Sequence, residues 1–191
     1  MTRRRSGFTL VETMVAGTIF LSMSLIATLW LTGVSDVWWT TNTQSHVRQQ
    51  AHQAVARMAD ELRLATRTAA ASPPNLAVPA VPNNTSMTFY LPADTNDANT
   101  TIVDAIGEIE WPNPAVPIQY VYVPASRQVQ RVQGGQITIL ATDVQAARFD
   151  DVTTDPTLSL DEVRISLTVQ RVTPQQRTVT ATSTEIIRAR N

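Results

Sequence analysis

Nineteen consecutive residues, Thr13 to Leu31, carry no formal charge, and three arginines, Arg3 to Arg5, stand ahead of them. Few features constrain a chain more. A helix over that run is roughly 28 Å long at ~1.5 Å rise per residue, close to a ~30 Å hydrocarbon core. The basic flank places its N-terminus in the cytoplasm. Trp38 and Trp39 follow just past the run, where amphipathic rings favour a membrane–water interface; the alternative is that they pack on protein. One acid breaks the pattern. Glu12 stands at the head of the run, where a charge is costly unless it is paired.

Two ordinary readings leave something unexplained. A secretory signal has ~7–15 apolar residues with a small-x-small cut site after them. Here the run is longer, and the small-residue triplet at 15–17 falls inside it. A plain signal anchor fits the length and the arginines but gives no reason for Glu12.

The residues before the run supply a third reading. Gly7-Phe8-Thr9-Leu10-Val11-Glu12 after a short basic leader, with about twenty apolar residues behind it, resembles the class III signal of type IV pilins and type II secretion pseudopilins. The resemblance covers residues 3 to 31. It implies that a prepilin peptidase cuts between Gly7 and Phe8, that Phe8 is then N-methylated, and that the apolar helix is retained. A glycine at the cut lets a protease approach the backbone closely. Cutting creates an ammonium on Phe8. Once that ammonium is buried in a filament it needs an opposite charge and hydrogen bonds. The resemblance assigns Glu12 to the amine of a neighbouring subunit, which would set the register of each incoming copy. Before assembly the helix holds the subunit in the inner membrane. Gly17, Ser22 and Ser24 are small enough for close helix approach. Many family members carry a proline in mid-helix, and Leu29 stands in that place here.

Beyond the run, Val47, Ala51, Ala54, Val55, Met58, Leu62 and Ala65 recur at spacings of three and four. That is one apolar stripe on a helix, with Arg48, Gln49, Arg57, Asp60, Glu61 and Arg63 mostly elsewhere. The stripe lasts about three heptads, which favours cover by a sheet over a coiled coil. The expected division is a leader over 1–7, a membrane or filament-core helix over 8–35, its amphipathic continuation over 36–71 and a β-rich head over 72–191.

Four prolines in the thirteen residues 72–84 end any helix and favour an extended loop. Strands are predicted over 87–91, 118–123, 128–132, 136–141, 163–171 and 178–187. Val163, Ile165, Leu167 and Val169 alternate onto one face, and Gln133-Gly134-Gly135 is a turn signal. The predicted fold is α+β: a long N-terminal helix packed on a mostly antiparallel sheet. Residues 120–149 loosely resemble J-type minor pseudopilins and PilW-like minor pilins, in which a tyrosine strand, a short hairpin and a strand ending in an aromatic residue follow in order. The tip pseudopilin of K type usually lacks the glutamate, so Glu12 argues against it.

Other chemistries find little footing. Charged residues are 16% of the chain and the net charge is −1, so no basic face for nucleic acid is expected. Without cysteine there are no disulfides, thiolate metal sites or cysteine nucleophiles. His46 and His52 are six apart and read as surface residues, not as metal ligands. Asp150, Asp151 and Asp155, with Asp161 and Glu162, concentrate acids in a loop without EF-hand spacing. They read as solvated turn residues; calcium is the alternative, because some pseudopilins hold one in a C-terminal loop. Asn83, Asn84 and Asn99 open N-x-[ST] sequons that read as loop chemistry. No phosphate loop, serine elbow or other catalytic set is present, so no enzyme and no cofactor are expected. The expected function is a structural minor pilin or pseudopilin that primes assembly or sits at the tip. Its partners would be the prepilin peptidase, other subunits, an inner-membrane assembly platform and membrane lipid, and its head would face the periplasm or lie in the filament. The alternative is an anchored binding module that never assembles.

Overall fold

The computed structural model describes residues 9–65, 76–77, 84–93, 102, 110, 116–159 and 162–188. The expected cut at Gly7–Phe8 lies outside the described residues, as do Asp161, Asn83 and Asn99. One helix, α1 (Leu10–Leu64), precedes eight strands: β1 (Leu76–Ala77), β2 (Ser86–Phe89), β3 (Ile118–Val123), β4 (Gln128–Gln133), β5 (Gln136–Ala141), β6 (Val144–Asp150), β7 (Glu162–Val172) and β8 (Thr178–Arg188). The class is α+β, a long N-terminal helix packed on antiparallel sheets. The chain divides into two compact units, Met1–Asn42 and Thr43–Asn191.

In the first unit, α1 is apolar on every side. Its large side chains from Leu10 to Val37 are all exposed. No proline interrupts them. In the second unit the same helix is amphipathic. Val47, Ala51, Ala54, Val55, Met58, Ala59 and Leu62 are buried, which is the stripe expected from the spacing, with Ala59 added to it. The described helix ends at Leu64, and residues 66–71 of the expected continuation lie outside the described residues. Ala65 stays buried as the stripe requires, but its N–H turns to the Leu62 carbonyl at 3.1 Å, the tight final turn that satisfies a helix end.

The predicted single sheet is two. One runs in the order β1-β2-β3-β4-β5 and the other in the order β6-β7-β8, with every pairing antiparallel. The division falls at Thr142–Asp143, where Asp143 takes a left-handed φ of 55° and the chain leaves β5 for β6. The two sheets join along β6: the Val144 N–H donates to the Arg127 carbonyl at 2.8 Å, and the Phe149 N–H donates to the Asn84 carbonyl at 2.9 Å. At the β4–β5 turn, Gly134 and Gly135 have φ of 55° and 80°. Two successive left-handed residues make the turn whose twist suits a two-residue hairpin, and glycine adopts them without a Cβ penalty.

The stripe of α1 shares one core with both sheets. Met87, Phe89, Ile118, Tyr120 and Val129 come from the first; Val144, Phe149, Val163, Ile165, Leu167 and Val169 come from the second. Phe89 and Tyr120 have ring centroids 5.2 Å apart, and Tyr120 stacks on Phe149 at 6.4 Å, so an aromatic run crosses from sheet to sheet.

Candidate functional site

The head of α1 is closed by a reciprocal pair. The Thr9 N–H and hydroxyl both donate to Oε2 of Glu12, at 2.9 and 3.0 Å, and the Glu12 N–H donates to the Thr9 hydroxyl at 3.3 Å. This is a capping box, with threonine as N-cap and glutamate three residues on. It satisfies two orphan donors and sets a negative charge at the positive end of the helix. The sequence reading gives Glu12 a partner in a neighbouring subunit and does not include a cap on its own helix. The T-x-x-E spacing of Thr9 and Glu12 was the signal for a cap. Both bonds end on Oε2; among the described residues Oε1 accepts none.

Five hydroxyls of the apolar half turn inward on their own helix. Thr13 donates to the Leu10 carbonyl at 2.9 Å, Thr18 to Val15 at 2.9 Å, Ser22 to Ile19 at 2.8 Å, Thr28 to Ser24 at 2.8 Å and Thr32 to Leu29 at 2.9 Å. A hydroxyl bonded to the carbonyl three or four residues back needs no water. In hydrocarbon an unsatisfied polar group costs several kcal/mol, so this removes a barrier to burial in lipid. The segment is long and apolar enough to cross a membrane.

Trp38 and Trp39 stand edge to face at 4.8 Å, 57% and 37% exposed. They pack on each other and still present their rings outward. Trp30, which the sequence reading passed over, lines one groove of the first unit with Trp38, beside Gly33, Val34 and Val37. Gly17 and Gly33 have open space where a Cβ would stand.

In the second unit a polar cluster clamps α1 to the first sheet. Arg131 grips Glu61 through Nε at 2.9 Å and one terminal nitrogen at 2.5 Å, and the Tyr120 hydroxyl donates to Glu61 at 2.5 Å. Arg131 also reaches Gln133 at 2.7 Å. Burial would raise the Glu61 carboxyl, but the bonds from Arg131 and Tyr120 outweigh it and hold the group below its ordinary range. Burial, then the bond to Glu61, raises Tyr120. Arg131 is raised by its own hydrogen bonds to Glu61. The cluster is structural: Tyr120 stays a neutral donor and Arg131 a cation. Arg63 makes a second tie, to Glu185 of β8 at 2.5 Å.

The acidic loop corrects one expectation. Asp150 and Asp151 are not solvated; they are 4% and 6% exposed. Asp150 accepts from Asn84 at 2.8 Å and from Arg148 at 2.7 Å. Asp151 accepts from the Thr153 N–H at 2.9 Å and its hydroxyl at 2.5 Å. Asp155 pairs with Arg164, and hydrogen bonds from Thr157 hold its carboxyl below the ordinary range. Each of these three acids is engaged by donors of its own unit. Asn84, one of the three sequon asparagines, is buried against Asp150. His46 and His52 are both exposed on α1. Among the described residues no three His, Asp or Glu side chains gather around a common metal position.

Comparison of the chain with protein-family models, curated proteins and solved structures returns no match.

Proposed function

We propose that the chain is a filament subunit of the type IV pilin and pseudopilin kind. It would be made as a precursor, cut between Gly7 and Phe8, N-methylated on Phe8, held in the inner membrane and assembled into a pilus or a secretion pseudopilus. The single supporting observation is a coincidence of place. The Gly7–Glu12 motif ends on the cap of a continuous helix that is apolar on all sides at first and amphipathic under a β-rich head later. A cap and an assembly contact can share Glu12. Oε2 holds Thr9, and Oε1, which accepts no bond among the described residues, would take an ammonium from a neighbouring copy. The size of the head favours a minor subunit, placed at the tip or priming assembly.

Intact-mass measurement on protein from a peptidase-positive host tests the reading. The expected mass begins at Phe8 and carries one added methyl; a chain still starting at Met1 overturns it. Glu12→Ala should leave cutting intact and block incorporation into sheared filaments. A cut, methylated chain found only in the membrane fraction would instead favour an anchored binding module.

A further inference from the structure

From a polar cleft in the second unit we infer a docking site for an extended, acidic segment of a partner protein. β8 is an edge strand: among the described residues it pairs only with β7. Thr178 to Thr184 holds no charge and no proline, so the edge lacks the usual guards against strand addition. Beside it, Arg48 and His52 stand one turn apart on α1, both exposed. With Thr180, Ala181, Thr182 and Ser183 they line a cleft of about 440 Å³. No acid lines it. The one acid of β8, Glu185, is taken by Arg63 at 2.5 Å. Among the described residues, no carboxylate is paired with Arg48 or His52.

The shape selects the ligand. Four successive strand residues extend about 13 Å at ~3.3 Å each, far longer than one small anion. A peptide laid along β8 would take main-chain hydrogen bonds from the open edge, the mode of recognition known as strand addition. A carboxylate on that peptide would meet the Arg48 guanidinium in a forked pair, with His52 one turn further along. Charge complementarity thus assigns the occupant: a strand-forming segment with carboxylates. This site is independent of whether the chain is cut or assembled.

The test uses the full chain in neutral detergent and a labelled six-residue peptide of alternating Thr and Glu, read by fluorescence anisotropy. Saturable binding is expected, at least tenfold tighter than that of the matching Thr–Gln peptide. The double variant Arg48→Gln, His52→Gln should bind at least tenfold more weakly with an unchanged circular dichroism spectrum, and Arg48→Lys should restore part of the loss. Absent or equal binding of the two peptides overturns the inference, as does an unaffected double variant. Displacement by inorganic phosphate at equal concentration would replace the peptide site by a small-anion site. Self-association of the chain that the double variant abolishes would give the edge to a second copy.

Discussion

Glu61 lies in the last turn of a helix whose second half the sequence reads as amphipathic, and it sits among charged neighbours that look like a solvated face. Its side chain is instead held by Arg131 and Tyr120, seventy and fifty-nine residues away. Hydrogen bonds to a charged group contribute about 1.5–3 kcal/mol each, and loss of one partner leaves the others unsatisfied. Glu61→Gln should therefore lower the stability of residues 43–191 by about 1–3 kcal/mol at pH 7, measured by urea denaturation. The folded-state carboxyl lies below its ordinary value. Its contribution is fully present above the unfolded value near ~4.3 and is lost as pH falls through the folded value. The gap between wild type and variant should thus narrow when the measurement is repeated at pH 3. A gap that widens in acid would contradict the assignment. At the other end of the helix, the Glu12 cap could have been read from Thr9, three residues before it.

Elements were legible to different degrees. The strands at 118–123 and 136–141 fall where alternation and turn signals place them, and β7 buries the four residues expected of it. β6 was not on the list of predicted strands. Its sequence, Val-Gln-Ala-Ala-Arg-Phe-Asp, is poor in β-branched residues. A register shift between Val144 and Ala146 also puts Val144 and Ala147, three apart, on the buried side, so the period of two is broken. The turn at Gly134–Gly135 was readable because few residues accept two successive positive φ angles. Gly135→Val should destabilise the hairpin by about 1–2 kcal/mol, seen as a lower urea midpoint with an unchanged slope. An unchanged midpoint would mean that the turn relaxes to another type.

For the molecule as a whole, the division at Asn42–Thr43 is set by burial. Residues before it bury almost nothing, and those after it bury one face of α1 under both sheets. Residues 43–191 should accordingly fold as a soluble unit, with one transition common to circular dichroism and tyrosine fluorescence. Residues 72–191 lack the helical stripe and should aggregate, since both sheets would then expose core residues such as Phe89 and Leu167. Met58→Ala in the longer fragment should cost about 2–5 kcal/mol. If the shorter fragment stays monomeric and folded, the helix is not part of this core.

Hydropathy and period are local properties, and they were enough to place the apolar run, the buried stripe from Val47 to Leu62, most of the strands and the glycine turn. They also carried the resemblance at Gly7 to Glu12, since a processing signal is recognised as a short contiguous motif. Which strands share a sheet, which acid meets Arg131, and why Asp150 can be buried depended on contacts between residues distant in sequence. A buried donor or acceptor takes the partner that collapse brings within reach, and no pattern along the chain specifies that partner in advance.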